Sequence, residues 1–330
     1  MNALPRIGVV LSSGGIRGIY AHTGFLQALD KLGVPIAAST GCSAGAVVGG
    51  IAASGTDVNA WADALLEVHA RQFWTPDPLW RFLWQITVRK GRGYTGLSGS
   101  EAAISFVRKH LSTETFEDCL YPFHALAVDI AQNRKVMFSS GELAPRMVAS
   151  AAMPILYRPV EIDSDMYCDG ALIDLAPTDA ICCLHDLDVL IVHHVSQRSV
   201  GEKGIKALLQ QPWSMIRILN RLLYFQRPWY LSDESLSFMH CPCGCGAVVI
   251  VIEPELPDLV WPLTDGGVRI QQIARQQTEQ FLDPFLEALQ SDPRNNLPVT
   301  KEWQSRTTND SYAWQNKCGL PKQEEKNGTC

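Results

Sequence analysis

Twice within its first 55 residues the chain runs from a short apolar segment through a glycine-rich turn into a pattern of helical period. Ile7 to Leu11 has strand length, and Gly14-Gly15-Ile16-Arg17-Gly18 follows it. Phe25, Leu26, Leu29 and Leu32 then recur at helical spacing, with Gly33 as the stop. Val34 to Thr40 reads as a second strand and Gly41-Cys42-Ser43-Ala44-Gly45 as a tight turn. Ala46 to Ser54 reads as a helix of small residues ended by Gly55. This alternation predicts an α/β fold, with a mostly parallel central sheet flanked by helices on both faces.

Further strands are expected at His124–Asp129, Val136–Ser139, Val189–Val195 and Val248–Ile252. Helices are expected at Val58–Arg71, Ser100–His110, Leu143–Ala152 and Val268–Leu289, the last breaking at Asp283-Pro284. From about Ser291 the chain turns polar and aperiodic. One domain is therefore expected over residues 1–290, and a disordered or loosely attached tail over 291–330.

An apolar content of 46% against 19% charged residues suits a soluble protein with a real core, and a net charge of −6 gives no pull toward nucleic acid. The 10 cysteines form no regular framework, which in a chain this long reads as reduced thiols in a cytosol-like compartment. No apolar run approaches the ~18 residues of a membrane span. The apolar start is shorter than the ~7–15 residues of a signal-peptide core. A cytoplasmic location is expected, with or without peripheral membrane association.

Gly41-x-Ser43-x-Gly45 between strand and helix is the setting of a nucleophile elbow. The sharp turn needs small neighbours, and the helix N-terminus beside the hydroxyl favours developing negative charge. The plain alternative is a glycine-rich strand–helix turn. Gly14-Gly15-Ile16 can aim successive amides at an oxyanion or a phosphate. Neither Gly-x-Gly-x-x-Gly nor a Walker loop occurs, which weakens the nucleotide reading. Arg17 is either a surface arginine or a support for the site. Asp169-Gly170 on its own reads as a turn.

Taken in order, these residues resemble the patatin-like phospholipases. That family's pattern is a Gly-Gly-x-Arg-Gly loop, a Gly-x-Ser-x-Gly elbow and an Asp-Gly-Gly/Ala motif. Here they correspond to Gly14 to Gly18, Gly41 to Gly45 and Asp169-Gly170-Ala171. Ser150-Ala151-Ala152-Met153-Pro154, Phe116-Glu117-Asp118 and Ser139-Ser140-Gly141 are similar to further landmarks of the family. Two positions depart from the pattern. Ser13 stands where a first glycine is usual, although its amide remains, and Cys42 replaces the commoner threonine.

The resemblance implies a patatin-like domain and a serine lipid acyl hydrolase acting on phospholipids, lysophospholipids or related esters. It implies Ser43 as nucleophile, Asp169 as base in a histidine-free dyad, and an oxyanion hole at Gly14, Gly15 and Ile16. Arg17, Gly18, Gly41, Gly45 and Gly170 would support the site. No cofactor is implied. Two alternatives stay open: a Ser-Asp-His triad, since His193, His194 and His240 all follow Asp169, and a catalytically silent membrane-binding module on the same fold.

Two stretches hint at lipid contact. Residues 71–92 carry Phe73, Trp74, Trp80, Phe82 and Trp84 with Arg71, Arg81, Arg89, Lys90 and Arg92. Residues 203–231 carry Trp213, Ile216, Leu219, Leu223 and Tyr224 with Arg217, Arg221 and Arg227. The second reads as an interfacial helix or a cover of the substrate cleft, or else as a helix packed on the core with two snorkelling arginines. No metal site is expected. His240, Cys241, Cys243 and Cys245 are soft-ligand candidates, but their spacing is too tight for a standard two-pair zinc site.

Overall fold

The structure, a computed structural model, describes residues 4–181, 184–195, 209–210, 214, 218, 228, 230–232, 234–259 and 263–299. The described strands are β1 (Ile7–Leu11), β2 (Ala38–Cys42), β3 (Gly96–Ser98), β4 (Phe123–Asp129), β5 (Arg134–Phe138), β6 (Ile155–Tyr157), β7 (Val160–Ile162), β8 (Asp165–Asp169), β9 (Val189–His193), β10 (Leu236–His240) and β11 (Val248–Ile252). The described helices are α1 (Gly15–Lys31), α2 (Ala44–Ala53), α3 (Val58–Leu66), α4 (Leu79–Thr87), α5 (Glu101–Lys109), α6 (Leu143–Ala151), α7 (Leu263–Leu282), α8 (Leu286–Gln290) and α9 (Pro293–Asn296).

Strands β11, β9, β1, β2 and β4 run parallel in the middle of one sheet. Antiparallel strands close both sides: β10 beyond β11, and β5, β8 and β7 around β4. β1, β9 and β11 are buried on both faces, which is why they read as continuous Val/Ile/Leu runs rather than alternating ones. Val9, Leu11, Val189, Ile191, Val248 and Ile250 pack into one core with Phe25, Leu26 and Leu29 of α1. Val10, Leu190, Val192, Val249 and Val251 face the other way, against Ala176, Ile181, Leu187 and Tyr230. The first face is covered by α1, α2, α6 and α7. The second is covered, among the described residues, by Tyr230, Leu175, Ala176, Ile181 and Leu187 and by the 3-10 turns Gly170–Leu172 and Thr178–Ala180.

The second strand begins later than its apolar start at Val34 predicts. Gly33 (φ 65°) ends α1 in a left-handed turn, and the Val34 amide bonds back to Leu29 O at 3.0 Å. That is the Schellman arrangement, and it removes Val34 from strand pairing. Pairing starts only at Ala38, opposite Gly8. The helix expected through Arg71 stops at Leu66, and a 3-10 turn holds Ala70–Gln72. Packing continues beyond residue 290: Pro293 and Leu297 are buried, and Arg294 Nε bonds Asp188 Oδ1 at 2.8 Å.

Strand β4 has three neighbours on two edges. β5 occupies one edge over Ala125–Asp129. The other edge is therefore shared: β2 pairs with Phe123–Leu126, and β8 with Ala127–Asp129. Cys42 sits opposite Leu126 and Asp169 opposite Ala127, so the two strand ends meet head-on.

Candidate active site

Ser43 stands at this junction. It has φ 55° and ψ −117°, a conformation a non-glycine residue adopts only when its surroundings impose it. A Cβ on Gly41 would lie 2.3 Å from the backbone carbonyl of Gly45, and one on Gly45 would lie 2.1 Å from Leu11 O. The two glycines of the elbow are thus set by backbone crowding. The Ser43 amide donates to Ser150 Oγ at 3.0 Å, which ties the elbow to α6.

Asp169 ends β8. The Ser43 hydroxyl donates to its Oδ2 at 2.8 Å, and the Ala171 amide donates to its Oδ1 at 2.9 Å. Ser43 is 6% exposed and Asp169 1%. Burial drives the Asp169 carboxyl up from its ordinary 3.8 to about 7, against the opposing pull of the Ala171 amide and the Ser43 hydroxyl. A Cβ on Gly170 would collide with Leu126 O at 2.4 Å, so only glycine lets β8 leave β4 here.

The glycine loop lies beside the elbow, since a Cβ on Gly18 would come within 2.9 Å of Ala44 Cβ. The N-termini of α1 and α2 therefore converge. Among the described residues the amides of Gly14, Gly15 and Ile16 meet no acceptor, as expected for a helix start aimed at a ligand. The Ser13 amide does not join them, because it donates to Leu175 O at 2.7 Å. It anchors the loop to the segment after Asp169 instead. Arg17 Nη2 reaches Leu256 O at 2.8 Å, so its guanidinium ties α1 to the segment after β11.

Beneath the loop, His22 Nε2 lies 2.7 Å from Ser12 O and His22 Nδ1 lies 2.7 Å from His193 Nδ1. His194 Nδ1 lies 3.0 Å from the Tyr230 hydroxyl. Burial lowers all three rings, His22 to about 4, His194 to about 3 and His193 well below its ordinary range, so they are neutral near pH 7. Neutral His22 donates from Nε2 to Ser12 and accepts at Nδ1 from His193. Among the described residues no histidine bonds Ser43 or Asp169, and His240 is exposed at the end of β10. Cys241, Cys243 and Cys245 come together, without His240, in the turn after β10.

The sequence alone gives no role to Ser150, whose segment is similar to a family landmark, nor to the Ala44 amide that begins α2 directly after the serine. It also gives none to His22, which sits in a helix with no motif around it. Arg217 and Arg221, with nearly all of the second aromatic–basic stretch, lie outside the described residues.

Residues 9–181 match the family model described as Patatin-like phospholipase. The chain belongs to this family. An uncharacterized NTE family protein of Mycobacterium tuberculosis is 30% identical over 190 residues, which cover 57% of this chain and 49% of that protein. Lysophospholipase NTE1 of Cryptococcus neoformans var. neoformans is 30% identical over 202 residues, 60% of this chain and 12% of that protein. The chain thus spans about half the length of the mycobacterial relative and a smaller share of the fungal one. Among solved structures, human GIVD cytosolic phospholipase A2 aligns with a TM-score of 0.49 at 12% identity, over 86% of this chain and 60% of that one. In a patatin-like phospholipase the elbow, the glycine loop and the Asp-Gly motif are the expected landmarks, and this chain gathers all three at one end of the parallel strands.

Proposed function

We propose that this chain is a serine acyl hydrolase of phospholipids or lysophospholipids, with Ser43 as nucleophile and Asp169 as base. The reading rests on one observation above all: the buried hydrogen bond of 2.8 Å from the Ser43 hydroxyl to Asp169. Family membership and the name of the fungal relative, a lysophospholipase, support the substrate class.

The steps follow from the geometry. Ser43 Oγ attacks the ester carbonyl carbon while its proton passes to Asp169 Oδ2. Negative charge on the former carbonyl oxygen is held by amides at Gly14, Gly15 and Ile16, with Ala44, at the two converging helix N-termini. Collapse breaks the ester C–O bond, and the leaving alkoxide takes the proton from Asp169. Water then attacks the acyl-serine, Asp169 accepts its proton, and the fatty acid leaves as Ser43 recovers its own.

A fluorophosphonate should add covalently to Ser43, located by peptide mass, and the protein should cleave lysophospholipid. Because the carboxyl must be ionised to act as base, kcat/KM on a soluble ester should rise about tenfold per pH unit below 7 and level off above it. Absence of labelling on folded protein would favour the silent module. A profile flat from pH 5 to 8 would remove Asp169 as base.

No helix of the described residues is long and apolar enough to cross a membrane. Contact with lipid is assigned instead to α4, which is turned inside out. Leu79 (71% exposed), Trp80 (70%), Leu83, Trp84 and Ile86 face outward, while Gln85 is buried, its Oε1 meeting no partner among the described residues. Arg89, Lys90 and Arg92 are exposed just beyond. The mini-sheet of β3 and β6 connects this region to Ala152, whose carbonyl accepts the Asp169 amide. Apolar side chains rimmed by cations suit an anionic bilayer surface. Replacing Trp80 and Trp84 by glutamate should weaken cosedimentation with phosphatidylglycerol-containing vesicles by about tenfold or more. Hydrolysis of a soluble ester should be unchanged. Unaltered sedimentation would assign this face elsewhere.

A further inference from the structure

The β10–β11 hairpin carries chemistry that hydrolysis does not use. Its turn reads Cys241-Pro242-Cys243-Gly244-Cys245-Gly246. The Cys241 amide donates to Ala247 O at 2.9 Å and the Gly244 amide to Cys241 O at 3.1 Å. Gly244 (φ 74°) and Gly246 (φ 78°) take left-handed conformations that bend the chain between and after the cysteines. In an extended strand, alternate residues stand about 6.6 Å apart. Here the bend draws all three sulfurs within 4.8 Å of one another, with Cys241 Sγ and Cys243 Sγ at 3.1 Å. Cys241 is buried in the core with Met239, Leu187 and Ala247, and Cys243 and Cys245 pack partly against it.

We propose that Cys241, Cys243 and Cys245 form a structural site for a thiophilic d10 cation, Zn2+ being the ion to test. A zinc ion bound by thiolates at about 2.3 Å in tetrahedral geometry needs sulfurs about 3.8 Å apart. The separation of 3.1 Å and the 4.8 Å limit on the others both lie within about 1 Å of that spacing, so small side-chain shifts complete it. Among the described residues this is the one group of three or more histidine, cysteine or carboxylate side chains so placed. Binding exchanges three thiol protons for the cation, leaving three S–Zn bonds and a fourth position for water. No electron is transferred, and affinity rises with pH.

The site lies at the opposite end of the parallel strands from the dyad. Ala247 precedes Val248, which pairs with Val189 at the start of β9, whereas Ser43 follows the last residue of β2. The ion is therefore a clip on the hairpin at the sheet edge and takes no part in acyl transfer.

The test uses the full chain, reduced, stripped with chelator and reloaded with Zn2+ alone. The expected result is tight uptake that raises the melting temperature by several degrees, with soluble-ester hydrolysis unchanged. Cd2+ in place of Zn2+ should produce thiolate-to-metal ultraviolet absorption. Cys243→Ser and Cys245→Ser, both at partly exposed positions, should each weaken binding on the order of 100-fold, while His240→Ala should bind like the parent. The proposal is overturned if the parent takes up no Zn2+, or if both serine variants bind as tightly as the parent, which would place the ion on other cysteines. It is equally overturned if peptide mass shows a stable Cys241–Cys243 disulfide that persists under reductant and excludes the ion.

Discussion

Replacing Asp169 by asparagine should abolish ester hydrolysis and, above pH 7, make the fold more stable. The carboxyl is buried, and its pKa rises from an ordinary 3.8 to about 7. In the unfolded chain it ionises near the ordinary value. Below that value both states are protonated and the residue is neutral toward stability. As pH climbs from about 4 to 7 the unfolded chain loses its proton first, so the native state is progressively penalised, and the penalty is complete above 7. At about 1.36 kcal/mol per pH unit this amounts to up to about 4 kcal/mol.

Asparagine keeps the shape, can still accept from the Ala171 amide, and carries no charge to bury. Urea melts at pH 5 and 8.5 should therefore show a gain for Asp169→Asn that is small at the lower pH and several-fold larger at the higher. Ser43→Ala should lose turnover to the same extent, on the order of 10⁴-fold or more, since in the proposed mechanism nucleophile and base act as a unit. Near-normal turnover in either folded variant would dismantle the dyad. A stability gain equal at both pH values would mean that the carboxyl is not strained by burial.

The elbow itself should be the least tolerant point of the chain. Gly41→Ala places a methyl group 2.3 Å from the backbone carbonyl of Gly45, where no side-chain motion can relieve the clash. The turn must open, and Ser43 moves with it. A loss of at least about 3 kcal/mol is expected, with kcat/KM on soluble ester down by about 100-fold or more in whatever folds. Gly15→Ala is the control. Its φ of 56° carries a backbone strain of about 1–2 kcal/mol, but nothing lies within 4 Å of the added methyl. Equal stability losses for the two variants would mean that crowding does not set the elbow.

The parts of this molecule that were legible in the sequence are those dictated by local chemistry. β1, α1, α2 and β11 show in apolar runs and glycine stops, because burial on both faces leaves little room for polar residues. What escaped depended on partners. β8, Asp-Met-Tyr-Cys-Asp, has an exposed first half, and it becomes a strand because β4 offers an edge. β10 alternates only weakly, and it exists because β11 is beside it. α4 defeats core-seeking periodicity because its apolar face points outward. Within the site, the elbow and glycine loop are contiguous motifs and could be read directly. The commitment of the Ser13 amide to Leu175, and of Ser150 to the elbow, are contacts between distant segments that leave no local pattern.

The head-on meeting of β2 and β8 makes β4 a ruler for the chemistry. Ser43 and Asp169 are 126 positions apart along the chain, yet their separation is fixed by two adjacent rungs, Leu126 and Ala127. Loops between these strands can lengthen over generations without moving either side chain. A single residue added inside β8 cannot be absorbed in that way. It shifts the carboxylate by about 3.3 Å and turns it to the opposite side of the sheet. Variation in such a chain is therefore free in length almost everywhere between its two key residues and rigid in count over only a few positions.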